Sequence, residues 1–372
     1  MRSKKLPDTL REERPDASTP LRKAEHLRIN IERDVAGKGI ASGFDDYRFR
    51  HRALPEIDLD AVDLSLELFG RTLAAPLLIS CMTGGTSEAR RINERLARVA
   101  QQHGFAMGVG SGRALIESPA SLDTFEVRAY APDILLFANL GAIQLNKGYG
   151  VDECRRLVEL LRADALALHL NPLQEAVQPE GDTCFSGLLA QIARLCAAAD
   201  FPVIVKEVGW GIAPADVRAL FDVGVAAVDV AGAGGTSWSE VERHRIAEPW
   251  RARVAALFAG WGIPTAQCLI EAREVAPAEI IIASGGIRSG LDAAKALALG
   301  ADLVGIAGPF LRAADASLDA AHELARELAE TLRIAMFCAG ARTPQALRGT
   351  LCRCHPEERA QRASRRTKRD GP

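Results

Sequence analysis

Eight short apolar runs, each closed by a polar or glycine-rich segment, constrain this chain more than any other feature. They occupy residues 76–80, 105–109, 134–138, 165–170, 202–206, 227–231, 280–284 and 303–307. None alternates apolar with polar residues, which is how strands buried on both faces read. Between them lie stretches with helical spacing. Residues 88–102 place Ala89, Ile92, Leu96, Val99 and Ala100 on one face, and 151–162, 291–299 and 318–337 behave alike. Strands that alternate with helices imply parallel pairing through right-handed crossovers. Eight such units in 372 residues predict a closed (β/α)₈ TIM barrel, of class α/β, rather than an open doubly wound sheet.

The apolar content of 48% suffices for a core of that size. No low-complexity linker divides the body, so one barrel domain is expected over residues 21–350, with 21–70 capping one end. Residues 1–20 read as a disordered extension and 351–372 as a basic, disordered tail. The longest gap, from 231 to 280, leaves room for extra helices or a lid after the sixth strand. A net charge of −2 argues against a nucleic-acid partner, and an anionic ligand must therefore find a local cluster of cations. No apolar run is long enough to span a membrane, and the N-terminus lacks the apolar stretch of a secretory leader. None of the eight cysteines forms a C-x₂-C pair, and Cys352, Cys354 and His355 have the wrong spacing for a zinc ribbon. A cytoplasmic chain with reduced thiols is the expectation.

In a barrel of this kind functional side chains sit where strands end. The turn Ser284-Gly-Gly-Ile-Arg after the seventh run and Ala307-Gly-Pro after the eighth would place backbone N–H groups around a phosphate. That phosphate could belong to a flavin mononucleotide, a sugar phosphate or a nucleotide. Lys206 closes an otherwise apolar run, where an unpartnered ammonium is costly. It can pair with Glu207 or Asp229, form a Schiff base, or stabilise negative charge on a reduced flavin. Asn139 and Thr83 could bond the flavin's polar edge, with Met82 against its ring. After the fourth run come His169, Asn171, Gln174, Glu175, Gln178, Glu180 and Asp182. A carboxylate among carboxamides could hold Mg²⁺ together with substrate phosphates. Arg22, Lys23 and Arg113 are the cations available for a second anionic group.

The strand ends, taken in order, resemble a known family. The matching strings are Arg22-Lys-Ala-Glu-His-Leu, Gly43-Phe-Asp-Asp-Tyr, His51-Arg-Ala-Leu-Pro-Glu, Met82-Thr-Gly-Gly, Gly110-Ser-Gly-Arg and Ala138-Asn-Leu-Gly-Ala. They continue with His169-Leu-Asn-Pro-Leu-Gln-Glu, Val205-Lys-Glu-Val-Gly, Asp229-Val-Ala-Gly-Ala-Gly-Gly-Thr-Ser-Trp, Ser284-Gly-Gly-Ile-Arg and Met336-Phe-Cys-Ala-Gly. Over about residues 21–350 the chain resembles the type 2, FMN-dependent isopentenyl-diphosphate isomerases. The seven-residue string beginning at His169 is the most specific, because FMN barrels in general lack it.

The resemblance implies that Met82, Thr83, Gly84, Ser111, Asn139, Lys206, Thr236, Gly286, Ile287, Arg288, Ala307 and Gly308 hold FMN. It implies that Arg22, Lys23, Ser111, Arg113, His169, Asn171 and Gln174 meet the substrate, and that Glu175 binds Mg²⁺. Gln174, Lys206 and His169 would form the catalytic set. It further implies isopentenyl and dimethylallyl diphosphate as substrates, FMN active in its reduced form, NADPH as reductant, and a homotetramer or homo-octamer. Two other readings stand beside it. An FMN-dependent oxidoreductase of a small hydroxy acid would share the phosphate loops and Lys206, but would need a proton-abstracting His or Cys and arginines for a carboxylate. No His-centred loop follows the late strands, since His244 falls in a helix-like stretch, 240–245. A non-catalytic flavin- or phosphate-binding regulator would use the basic tail on nucleic acid in a salt-sensitive way.

Overall fold

The computed structural model describes residues 18–117 and 119–354. Its strands are β1 (Leu77–Ile79), β2 (Ala106–Gly108), β3 (Leu136–Gly141), β4 (Ala165–His169), β5 (Val203–Lys206), β6 (Ala227–Asp229), β7 (Ile280–Ala283) and β8 (Leu303–Ile306). They form a closed parallel barrel in chain order, sealed by β8 against β1 through Val304↔Leu77, Gly305↔Leu78 and Ile306↔Ile79. All eight expected strands are present, with ends displaced by a residue or a few.

Side chains alternate along each strand, and this alternation builds the interior. Leu78, Ala106, Phe137, Ala167, Ile204, Ala227, Ile282 and Leu303 cluster inside, while the other face of each strand joins the larger core beneath the helices. The small alanines make space for Phe137, whose burial contributes about 2–3 kcal/mol. A hairpin of Leu66–Leu68 and Arg71–Leu73 closes the end where the strands begin. Its turn residues, Phe69 and Gly70, both have positive φ (48° and 75°), as a tight two-residue turn demands. The Phe69 ring meets Phe137 edge-on, at 6.4 Å. The segment before the barrel thus does cap it.

Two steps further along each strand, the same inward face carries Ser80, Asn139, His169, Lys206, Asp229 and Ser284 instead of apolar residues. Register places His169 beside Lys206 and Lys206 beside Asp229. The strand ends therefore build one polar layer, on which a site can sit. Three helices surround it: α1 (Ser18–Glu32), α2 (Pro172–Val177) and α3 (Trp238–Arg245). A fourth, α4 (Pro249–Leu257), packs on α3. The long gap after β6 does hold extra helices.

Two boundaries are corrected. Helix α1 begins at Ser18, inside the segment expected to be disordered, while residues 1–17 lie outside the described residues. Leu351–Arg353, expected to begin the disordered tail, pair antiparallel with Tyr47–Phe49, and Cys354 is buried with its N–H on Asp46 O at 2.7 Å. Three residues with a single large apolar side chain carry too little pattern to announce a strand. Residues 355–372 lie outside the described residues.

Candidate active site

The polar layer floors a cavity of about 710 Å³ at the strand ends. His169 faces Asn139 Oδ1 with its Nδ1 at 2.9 Å. A carboxamide oxygen accepts, so Nδ1 carries the proton and Nε2 keeps its lone pair. Burial, with the charges of Lys206 and Lys23, drives the imidazole's pKa down to about 3. His169 is therefore a neutral acceptor and not a proton donor.

Lys206 is 9% exposed and donates to the backbone O of Glu207 at 2.5 Å. Of the alternatives for Lys206, an ion pair with Glu207 or Asp229 is not formed. Glu207 Oε2 is occupied by the N–H groups of Val208, Gly209 and Trp210, at 2.7, 2.8 and 2.6 Å. Burial still outweighs those bonds and pushes its pKa up to about 7. Asp229 accepts from Ser284 Oγ at 2.7 Å and from Ala231 N at 3.2 Å. Burial raises it as well, against the pull of Lys206. The lysine charge thus borders the cavity without a carboxylate of its own.

On the β7–β8 side glycine is required for two reasons. Gly285 and Gly286 have φ of 98° and 72°, and a Cβ on Gly285 would stand 2.0 Å from Gly232 O. The helix Gly308–Ala316 starts here, with its N-terminus at the cavity and Arg312 beside Gly308. A phosphate suits such an end. Together with Lys206, Asn139 and the unpartnered buried Ser80 Oγ, these donors suit FMN.

The opposite wall gathers cations. Lys23 Nζ donates to Ser111 O at 3.0 Å and lies 5.2 Å from the Phe125 ring centroid. Burial, then repulsion from Arg22 and Arg113, lowers its pKa to about 8. Arg22 lies 3.9 Å from Glu180, and Arg113 donates to Glu117 at 2.7 Å. Three cations that raise each other's cost mark a place for an anion.

Beside them Asn171 Nδ2 donates to Gln174 Oε1 at 3.2 Å and to Glu175 Oε1 at 2.8 Å, while Asp182 N donates to Glu175 Oε2 at 2.7 Å. Burial raises the Glu175 carboxyl. Asn171 Oδ1 is buried without a partner. Among the described residues no cluster of three or more His, Cys, Asp or Glu could hold a metal ion. Glu175 and Asn171 Oδ1 suit Mg²⁺ as two hard oxygens, with the remaining positions left to ligand phosphates and water.

Glu242 and Arg245, behind this wall, escaped the sequence reading, as did the places of His26 and Trp238 in it. Glu242, on α3, is fully buried, and its Oε1 lies 2.9 Å from His26 Nε2 and 3.0 Å from Gln174 Nε2. Arg245 donates to its Oε2 at 2.6 Å. Burial would raise its pKa, but His26, Gln174 and Arg245 outweigh that and hold it below the usual range. Trp238 meets the His26 ring edge-on at 5.2 Å. One signal was available: His26 stands one turn beyond Arg22 and Lys23 on α1. His244 is exposed and away from the cavity, as its helix position implied.

Every residue expected to hold FMN, substrate or Mg²⁺ lines this one cavity, from Arg22 and Lys23 through Met82, Thr83, Gly84, Ser111 and Arg113 to Thr236, Ile287, Arg288 and Ala307, whereas Glu180, Asp182, Glu207 and Asp229 do not line it.

Residues 19–121 and 174–353 match the family described as FMN-dependent dehydrogenase. A relative from Synechococcus sp., an isopentenyl-diphosphate delta-isomerase by name, is 55% identical over 333 residues, covering 90% of this chain and 96% of that one. The chain belongs to the type 2, FMN-dependent isopentenyl-diphosphate delta-isomerases. Another relative of that name, from Nostoc sp., is 53% identical over 324 residues, covering 87% and 93%. The type 2 family shares its barrel with oxidases of the FMN class. A mandelate oxidase structure superposes with a TM-score of 0.62 at 21% identity, covering 88% of this chain and 93% of that one. A lactate oxidase from Pediococcus acidilactici gives 0.61 at 20%, covering 89% and 87%. Identity that low speaks for the fold alone.

Proposed function

We propose that this chain interconverts isopentenyl and dimethylallyl diphosphate by a 1,3 proton shift, one proton arriving at C4 and another leaving C2. The observation that carries this is the gathering of Arg22, Lys23 and Arg113 beside the Asn171–Gln174–Glu175 segment in one cavity, with the flavin-type donors on its floor. When bound and reduced, with NADPH as the reductant, FMN would supply acid–base chemistry and negative charge for the reaction, with no net redox change.

The residues divide the remaining work. Lys23, Arg22 and Arg113 bind the diphosphate, and Glu175 with Asn171 Oδ1 would hold Mg²⁺, which would add further positive charge for that group. Lys206 and Asn139 fix the flavin's polar edge, and His169 accepts a hydrogen bond at Nε2. Glu242 stays ionised and stands one hydrogen bond behind Gln174. It takes up the C2 proton at Oε1 and is neutralised by it, with Gln174 orienting the path and His26 and Arg245 holding the carboxylate ionised until then. A cytoplasmic homotetramer or homo-octamer belongs to the same reading. Among the described residues no helix is long and apolar enough to cross a membrane.

The test is anaerobic incubation with isopentenyl diphosphate, FMN, Mg²⁺ and NADPH, following dimethylallyl diphosphate by chromatography after acid hydrolysis. Product should vanish when FMN, reductant or Mg²⁺ is withheld. An FMN-loaded protein that forms none, but reduces its flavin with a hydroxy acid, would establish the oxidoreductase instead.

A further inference from the structure

Helix α1 brings Arg22, Lys23 and His26 to the cavity, yet little apolar surface holds it there. Within residues 21–32 only Leu27 is buried, and Leu21 is 69% exposed. A helix of 15 residues is marginal by itself, so its seat must come from tertiary contacts. Its polar contacts converge on one side chain outside the cavity. The Arg245 guanidinium, 11% exposed, places each of its three nitrogens on a carboxylate from a different segment. Nε reaches Glu25 on α1 at 3.1 Å, and Nη2 reaches Glu180, in the segment after α2, at 2.7 Å. Nη1 reaches Glu242 Oε2 on its own helix at 2.6 Å. Burial works against the charge, but the three carboxylates outweigh it and raise the Arg245 pKa.

We infer that Arg245 is a positioning residue that fastens together, from outside the cavity, the three segments of the substrate wall. None of Arg245, Glu25, Glu180 and Glu242 lines the cavity, whereas Arg22, Lys23, His26, Gln174 and Glu175 all do. Each carboxylate leads to that inner set. Glu25 belongs to the turn of α1 that presents Arg22 and His26. Glu180 lies 3.9 Å from Arg22, two residues before the Asp182 N–H that meets Glu175. Glu242 carries His26 and Gln174 on Oε1, and with Oε2 held by Arg245 it cannot turn away from them. Without the guanidinium, three like charges would push the segments apart. A lysine cannot replace it, because an ammonium is a point charge and lacks the planar fork that reaches three ways. Arg243 gives the contrast, since it pairs with Glu240 of its own helix and joins nothing else.

The fastening of α1 stands on geometry alone, while its effect on turnover rests on the proposed reaction, with Glu242 as base. The charged or titratable groups facing that carboxylate are His26 from α1, Glu175 from α2 and Arg245 from α3. Among the described residues α4, which packs on α3, gives it no bond.

The tests use the FMN-loaded full chain. Arg245→Lys and Arg245→Gln should keep flavin content and far-UV dichroism, while amide exchange over 21–32 quickens about tenfold or more and that over 88–102 does not change. KM for isopentenyl diphosphate should rise on the order of tenfold, since its cations are no longer held. Arg245→Gln also removes a cation beside the base, which then stays protonated to higher pH. The acid limb of kcat/KM should accordingly move up by about one unit, and by less in Arg245→Lys, which keeps the charge. Glu25→Met, at a side chain 51% exposed, cuts only the link to α1. It should reproduce the faster exchange and the higher KM with the acid limb in place. Exchange over 21–32 as slow in all three variants as in the wild type would overturn the proposal whatever the reaction. So would an unmoved acid limb in Arg245→Gln where Glu242→Gln does lower kcat. Faster exchange beside a Glu242→Gln variant of undiminished kcat would uphold the joint and remove only Glu242 as the base.

Discussion

The two ends of the barrel both bury charge, but they treat it oppositely. Where the strands begin, Asp164 takes Arg71 at 2.8 Å, Arg128 at 2.5 Å and the N–H of Leu136 at 2.8 Å. The remaining donors of Arg128 reach the carbonyls of Ala131, Pro132, Ile134 and Arg162. Asp302 repeats the arrangement across the barrel with Arg273, Arg348 and the N–H of Ile281. Arg273 again covers the carbonyls of Ala276, Pro277 and Glu279. Where the strands end, Lys206 has no carboxylate partner, Asn171 Oδ1 and Ser80 Oγ have no partner at all, and His169 is held neutral. At the strand starts the charge is satisfied from within the chain and is structural, whereas at the strand ends polar groups and charge are left facing the cavity for a ligand. Substitutions at the two ends should accordingly separate stability from turnover.

The largest effect on turnover is expected at Glu242. Glu242→Gln keeps the shape of the carboxylate but removes the base and turns one of its two acceptor oxygens into a donor. Loss of a positioned base lowers kcat by ~10²–10⁴-fold. Flavin content should stay that of the wild type, because the residue belongs to the cation-rich wall and not to the flavin side. A kcat within twofold of wild type under saturating substrate would remove Glu242 from the proton path.

The same comparison predicts the reverse at the other end. Asp164→Ala leaves Arg128, 6% exposed, without its carboxylate. Breaking a buried pair from one side costs about 3–5 kcal/mol. Urea unfolding should show that loss, while kcat/KM measured well below the transition stays near wild type. Should catalysis fall as steeply as stability, the two ends are coupled and the division above fails.

How much of this was legible depends on where the information lies. The eight strands were readable because each is a local apolar run, and the floor because a polar residue must follow where such a run meets a ligand. Lys206 stood out at the end of Val203–Lys206 for that reason. Glu242 did not, since its burial arises from His26 and Gln174, 216 and 68 residues away, and a glutamate on a helix looks solvated in isolation. The tail strand was hidden by brevity. The paired arginines at the barrel's base were readable and went unread: Arg128 and Arg273 each begin the same Arg-x-x-Ala-Pro pattern. That repeat places one clamp before β3 and another before β7, half a barrel apart.

A smaller effect is expected at Lys23. Lys23→Met removes one charge-assisted contact to the diphosphate, worth about 1.5–3 kcal/mol, and so lowers kcat/KM by about 10–100-fold. Flavin content should not change. An unaltered KM with reduced flavin would instead place Lys23 on the cofactor.

The finest distinction is in pH dependence. Lys23 has a pKa of about 8, lowered from 10.5 by burial and by its neighbours Arg22 and Arg113. It is cationic below that value and loses its charge as the pH rises through it. Because kcat/KM reports the free enzyme, it should fall on the alkaline side with a midpoint near that pKa. The bound diphosphate favours the charged form and pushes the pKa back up, so kcat should stay level across the same range. Lys23→Met has no proton to lose there and should flatten the limb in kcat/KM. His169 supplies a control, since its pKa of about 3 places its titration far to the acid side. An alkaline limb that survives in Lys23→Met would transfer the titration to another group and leave the cation cluster as a fixed charge.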